Sequence, residues 1–213
     1  YWYFFMEPDR MLQQGLALQQ TSDYSGAIEQ FSQTLKRVQA NPFGVDKKSQ
    51  SVILAYRADA EYWNKQPEAA LTDLDQAIAL YGQDSRYYVS RASIRLQFNQ
   101  VPEQSLKDYD MAIALGANNA SNYMSRAMIR CYLGNYSGTI EDAAKAAAKC
   151  KTGGSLDCSQ IYYLRAVANY RLNNTEAAVE DALQAEKMSG GLLNSRDIPN
   201  FEFNMQAKLE YLD

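Results

Sequence analysis

Histidine is absent from this chain of 213 residues, which removes the commonest general base and the commonest transition-metal ligand from any site it could build. No stretch approaches the roughly 18 consecutive apolar residues that a membrane-spanning helix requires. Charge of either sign is never gathered into a long block. With 21 Lys and Arg against 25 Asp and Glu, the net charge is −4, so the basic footprint of a nucleic-acid binder is missing and no DNA or RNA partner is expected. Nucleophile elbow, phosphate loop and metal-ligand spacing are missing too, so no cofactor and no metal are expected. An enzyme built from this chain would have to rely on carboxylates such as Asp59 or Glu61. A chain of this length can bury a substantial core, or stack several small units, without disulfides or metals.

What the chain does contain is a repeat. "YYVSRASIRL" at 87–96 is nearly copied as "NYMSRAMIRC" at 122–131. Arg-Ala pairs stand at Arg57-Ala58, Arg91-Ala92, Arg126-Ala127 and Arg165-Ala166, so the alanines step by 34, 35 and 39 residues. From Ala58, small or large residues recur at offsets of 12, 16 and 19, as Ala70, Leu74 and Ala77. The same offsets lead from Ala127 to Thr139, Ala143 and Ala146, and from Ala166 to Ala178, Ala182 and Ala185. Ala92 leads to Ser105, Tyr109 and Ala112 with one extra residue in the turn, and a weaker first copy runs Gly15, Ala27, Phe31 and Thr34. Apolar residues recur at three and four within each half-unit, and interruptions such as "TSDYSG", "NKQPEA" and "LGNYSG" divide the halves. Each unit therefore reads as two helices, A and B, and the fold class is all-α. Pro67 and Pro102 suit the first turn of a B helix, and Asp23 and Thr175 suit N-caps. One hairpin cannot bury its apolar face alone, so the units must stack.

This pattern resembles the tetratricopeptide repeat, which carries a small residue late in helix A and then Ala, a large apolar residue and Ala along helix B. The position of the family's Trp in helix A is held here by Met11, Leu54, Tyr88, Tyr123 and Tyr162, and the closing Pro is mostly missing. The resemblance implies a right-handed superhelical solenoid of about five helix-turn-helix units, at about 7–40, 51–82, 85–116, 120–149 and 159–188. These units make a solenoid over 1–197, with a C-terminal capping helix over 198–213 that places Phe201, Met205, Leu209 and Leu212 on one face. The step from Gly15 to Ala58 is 43 residues, so "ANPFGVDKKS" is expected to bulge.

An Asp follows each repeated Arg by 16 or 17 residues: Asp73, Asp108, Asp142 and Asp181 after Arg57, Arg91, Arg126 and Arg165. A recurring opposite charge at fixed offset reads as a structural ion pair, joining helix A to helix B or to a helix of the next unit. A ladder of arginines for a polyanion would leave the equally regular aspartates unexplained.

In the family, side chains two, five, nine and twelve residues into each unit line the concave surface where peptides or helices dock. By count, this resemblance implies a partner-binding face made of Leu12 and Leu16, then Arg86, Val89, Ser93 and Leu96, then Met124, Met128 and Cys131, then Tyr163, Val167 and Tyr170. Leu12 and Leu16 replace the Lys and Asn with which chaperone-binding members hold a carboxylate, so no such clamp is implied. Met and Tyr suit an apolar peptide or amphipathic helix. Apolar stripes on helices also build cores, so packing between units competes for the same positions. The expected function is a non-catalytic protein-interaction scaffold, the alternative an anchored assembly factor of an envelope complex.

Cys150 and Cys158 flank "KTGGSLD" at a spacing that allows a disulfide, leaving Cys131 free. That bond would place the chain in an oxidising compartment such as a periplasm, which we favour over the cytosol, where all three thiols would be reduced. "YWYFFM" opens the sequence without an initiator Met. It reads either as the start of a mature chain cut from an upstream signal or anchor, or as aromatics docked on the first helix. Membrane contact would require such an anchor.

Overall fold

The repeat ruler becomes structure at its turns. A computed structural model describes residues 2–40, 46–99, 101–151 and 157–189, with side chains described except at 2–7 and 99. The expected cap over 198–213 lies outside the described residues, as do 41–45 of the first long loop and 152–156 between the cysteines. Among the described residues the regular structure is entirely helical. The chain divides into two compact units, Tyr1–Gly116 and Ala117–Asp213.

The first unit holds α1 (Trp2–Gln20), α2 (Tyr24–Gln39), α3 (Lys47–Trp63), α4 (Pro67–Leu80), α5 (Ser85–Ile94) and α6 (Pro102–Ala114). The second holds α7 (Ala120–Tyr132), α8 (Tyr136–Lys149), α9 (Cys158–Arg171) and α10 (Thr175–Ser189). Odd-numbered helices are the A helices and even-numbered ones the B helices. α1 starts at Trp2, upstream of the ruler's first unit.

Seven residues after the small residues Gly15, Ala58, Ala127 and Ala166, the backbone turns left-handed at Ser22, Lys65, Gly134 and Asn173, with φ of 63°, 63°, 75° and 60°. A residue in this conformation ends a helix by turning its last N–H groups back onto free carbonyls. Lys65 N donates to Tyr62 O at 3.1 Å and Gln66 N to Glu61 O at 2.9 Å. Gly134 with Asn135, and Asn173 with Asn174, repeat the pair of bonds. Asp23 and Asn135 then cap α2 and α8 through the N–H of Gly26 and Gly138. Pro67 and Pro102 open α4 and α6, where their missing N–H costs nothing. Thr175 is the first residue of α10 rather than its cap; the preceding Asn174 carbonyl accepts from Ala178 N at 3.0 Å. The extra residue of the third repeat is taken up at the end of α5, where Arg95–Asn99 forms a π turn, the usual way a helix absorbs one insertion.

Small residues at the ruler positions let each A helix lie close to its B helix. A Cβ on Gly15 would run into the fully buried Phe31 ring, and the Thr139 hydroxyl on α8 reaches the Ala127 carbonyl on α7 at 3.3 Å. In the first unit Phe31, Leu54, Leu74 and Tyr87 fill the space between Ala27, Ala58, Ala70 and Ala77. In the second, Met124, Ile161 and Leu164 close on Ala127, Ala143 and Ala146. Cys150 and Cys158 form a disulfide with Cα atoms 5.9 Å apart, joining the end of α8 to the start of α9, and Cys131 is free and half-buried.

Candidate functional site

The four repeated arginines each reach from an A helix to the Asp of their own B helix. Arg57 donates through Nε and Nη2 to Asp73 at 2.6 and 2.8 Å, and Arg126 does the same to Asp142 at 2.7 and 2.6 Å. Arg91 holds Asp108 at 3.0 and 2.6 Å, and Arg165 holds Asp181 through both groups. The forks also bind the preceding hairpin: Arg57 Nη1 donates to Ser32 on α2 at 3.1 Å, and Arg91 Nη1 to Asp75 on α4 at 2.5 Å. Tyr88, Tyr123 and Tyr162, at the position of the family's Trp, put their rings 5.6, 5.8 and 5.2 Å from the guanidinium carbons of Arg91, Arg126 and Arg165. Guanidiniums so occupied are committed to the fold, and their planar forks suit bidentate carboxylate pairing.

Four residues after each Arg stands a second group facing the same Asp. Arg95 donates to Asp108 at 2.8 Å, Arg130 lies 2.9 Å from Asp142, and Asn169 donates to Asp181 at 3.0 Å. In the second hairpin that place is taken by Glu61, a carboxylate, only 7 % exposed and 3.8 Å from Arg57. Its Oε2 is buried without a hydrogen-bond partner. Burial, with the nearby Asp73 charge, pushes its acid up to about 7 against the pull of Arg57.

The inner-face positions divide into covered and open ones. Leu12 and Leu16 are half-buried against the first core, and Val89 on α5 and Leu96 in the π turn are half-buried as well. Arg86 is exposed but folds onto its own cap, Asp84, at 2.6 Å, and exposed Ser93 shares a hydrogen bond with Tyr109 at 3.0 Å. In the second unit Met124 and Val167 are each only 7 % exposed, and this corrects their expected place on an open face. Met124 packs with Ile161 and Leu164 of α9, and Val167 with Ala166 and Ala182 of α9 and α10, because α7 and α9 lie side by side and seal these positions in the seam. Cys131 and Tyr170 are half-buried against the same seam, and the Tyr163 hydroxyl donates to Glu186. Met128 stays 51 % exposed, and one turn on Tyr132 is 71 % exposed.

A cavity of about 460 Å³ opens in the first unit, between the C-terminal ends of α1 and α3 and the start of α2. Leu16 and Gln19 of α1, Tyr24 of α2, and Tyr56, Asp59 and Trp63 of α3 line it. Tyr24 and Trp63 are near-parallel with ring centroids 6.3 Å apart, and Trp63 is 51 % exposed. Gln19 Nε2 donates to Asp59 Oδ2. Burial raises the Asp59 acid, and hydrogen bonds from Gln19 and Trp63 oppose that rise. Counting helix A positions picks out one residue of this site: Ala55, Asp59 and Tyr62 stand 34 residues before Val89, Ser93 and Leu96, and of these Asp59 alone lines the cavity. The aromatic residues Tyr24, Tyr56 and Trp63 lie off the counted positions, and only the neighbouring helix ends bring them to Asp59. Asp59 and Glu61 do not pair as two carboxylates of one site. Two residues apart on a helix they point to different faces, Asp59 to the cavity and Glu61 to the Arg57–Asp73 pair. Among the described residues no group of acidic or thiol side chains is arranged to hold a metal.

No family model matches the chain, and no curated protein matches it. Solved structures do. The chain is similar to the protein MamA, at 18 % identity over 88 % of this chain and 98 % of that one, with a TM-score of 0.69. It is similar to YrrB, titled a TPR protein with an unusual peptide-binding site, at 11 % identity over 90 % of both chains and a TM-score of 0.71. The fold is the tetratricopeptide-repeat fold. BtubC from P. vanneervenii shares it at 14 % identity over 87 % of this chain and 84 % of that one, with a TM-score of 0.69.

Proposed function

We propose that this tetratricopeptide-repeat chain is a non-catalytic scaffold that holds an apolar segment or amphipathic helix of a partner protein against the exposed faces of its A helices. The observation that carries the reading is the pair Met128 and Tyr132, large, apolar, one helical turn apart and open to solvent on α7. The seam beside them is packed by Met124 and Ile161. A pliable thioether and a broad amphipathic ring on a rigid helix are suited to an anchor for a partner side chain. The fold shared with YrrB, whose title names a peptide-binding site, agrees with this reading. The Cys150–Cys158 bond favours an oxidising compartment and, with it, work outside the cytosol in assembling an envelope complex.

A pull-down with the purified chain, read by mass spectrometry, identifies the partner. Met128→Glu and Tyr132→Glu, with helicity unchanged by circular dichroism, are expected to lose it. Tyr163→Glu is a poorer test, since it would set a second carboxylate against Glu186. Full retention of the partner by both folded variants would remove α7 from the contact.

A further inference from the structure

We infer that the cavity between α1 and α3 is a receptor for an arginine side chain of a partner protein, with Asp59 as the acceptor and Trp63, Tyr24 and Tyr56 as the aromatic wall. This deepens the scaffold reading and rests on it, adding a second, charged contact in the first compact unit.

The chemistry of the lining selects the guest. Asp59 is the one acidic group in the wall, and it has no ion-pair partner among the described residues, whereas every repeat Asp is held by an Arg. Its hydrogen bonds come from neutral donors, the Gln19 amide and the Trp63 indole. Beside it, Gln19 Oε1 is buried and accepts no hydrogen bond. The amide cannot escape this by turning over, because its Nε2 is already committed to the carboxylate; a flip would set oxygen against oxygen. The wall also holds the Gln20 amide and the Tyr24 and Tyr56 hydroxyls, which can turn to suit a guest, so its one fixed charge is the Asp59 carboxylate, next to π faces whose quadrupole favours positive charge. An anion would meet Asp59 head-on. A neutral apolar guest would strip water from Asp59 without replacing it.

A cation pairs with Asp59, and the geometry distinguishes between the two natural ones. A guanidinium is flat, stacks on an aromatic face and carries in-plane N–H groups that can meet a carboxylate while it stacks, while an ammonium is a compact, strongly hydrated point charge. Room is sufficient, since about 460 Å³ falls within the range of small-ligand pockets. Access is open as well, with Asp59 and Trp63 both exposed at the rim.

The test uses the full chain carrying Trp2→Phe, so that Trp63 is the sole tryptophan of the two and its fluorescence reports the cavity. The probe is Nα-acetyl-arginine methylamide, compared with the citrulline analogue, which keeps the shape but has no charge, and with the lysine analogue. Saturable quenching or enhancement by the arginine probe is expected. Affinity should fall on the order of tenfold for citrulline and several-fold for lysine, and on the order of tenfold for the arginine probe with Asp59→Asn. Equal affinity for citrulline, an undiminished response in Asp59→Asn, or no response up to the solubility of the probe overturns the receptor. Equal affinity for lysine overturns the assignment to arginine. Met128→Glu is expected to leave the titration untouched while losing the captured partner, so failure of one reading is distinct from failure of the other.

Discussion

The Glu61 carboxylate lies 3.8 Å from Nε of Arg57, a guanidinium whose fork Asp73 already fills. In the other three Arg–Asp hairpins the equivalent residue, Arg95, Arg130 or Asn169, donates to the Asp or pairs with it. The second hairpin therefore carries two acids around one base. Folding raises the Glu61 acid from its ordinary 4.5 to about 7, so the folded chain binds a proton that the unfolded chain releases. The stability this proton contributes is fully present below the ordinary value and is lost as pH rises through about 7. Denaturant titrations of the wild type at pH 5 and pH 8 should differ by roughly 2 kcal/mol more than those of Glu61→Gln, which keeps the shape without the charge. Glu61→Gln should be the more stable protein at pH 8. Parallel pH profiles would show that Glu61 remains ionised when buried.

Removing Arg126 tests what a repeat arginine contributes. Asp142 is fully buried, and stranding a buried charge costs about 3 to 5 kcal/mol. Arg130 holds the same carboxylate from one turn on, 2.9 Å away, so Arg126→Ala should fall at the lower end, about 3 kcal/mol, and Arg126→Ala with Arg130→Ala well beyond the sum of the single changes. Denaturation midpoints measure this. A loss below about 0.5 kcal/mol for Arg126→Ala would mean that water already screens the pair.

The sequence carried the hairpins because spacing and residue size are local properties. Ala127 and Thr139 must be small for α7 and α8 to meet, and a ruler finds them. The offset between Arg and Asp was legible for the same reason, although not the second group four residues later, whose identity varies from Arg to Asn to Glu. Counting could not tell Met124 from Met128. Both fall on the implied inner face, and only the distance between α7 and α9 decides that one is sealed and the other open. The cavity at Asp59 was hidden differently, since its walls come from two helix ends and a turn that no periodicity links.

The Cys150–Cys158 bond closes a segment with a sequence separation of 8. Such a crosslink removes loop entropy from the unfolded chain worth about 2.5 kcal/mol on the chain-entropy account. Unreduced, denatured protein should show one reactive thiol, that of Cys131. Cys150→Ser with Cys158→Ser should lower stability by about 2 kcal/mol under oxidising conditions and abolish any further effect of reductant. Three thiols in protein purified without reductant would contradict the bond. Native Cys131 should react slowly, because burial raises its thiol acid and so depletes the thiolate.

Gly15 tests the closest helix approach in the first unit. A methyl there would collide with the Phe31 ring, which is fully buried and stacked on Tyr56 with centroids 6.1 Å apart. Helix propensity alone would reward Gly15→Ala by up to about 1 kcal/mol. Overpacking costs about 1 to 3 kcal/mol, and the confined ring cannot swing aside, so the collision should win and the melting temperature fall. Phe31→Leu in the same chain should recover part of the loss; a melting temperature raised by Gly15→Ala alone would show that the hairpin can open to admit a methyl.

Met124 and Met128 form a matched pair on α7, one turn apart, with 7 % and 51 % of their surface exposed. Glu at 124 would bury a carboxylate against Ile161 and Leu164, so Met124→Glu should cost more than about 3 kcal/mol of stability or prevent folding. Glu at 128 would extend into water and should change stability by no more than about 0.5 kcal/mol. Partner binding should respond in the opposite order. Met128→Glu places a charge in the contact and should weaken capture by about 2 kcal/mol, while the conservative Met124→Leu, which keeps the seam packed, should leave capture intact. If Met128→Glu instead lowers the melting temperature as far as Met124→Glu, the residue is core, and the partner must be held elsewhere.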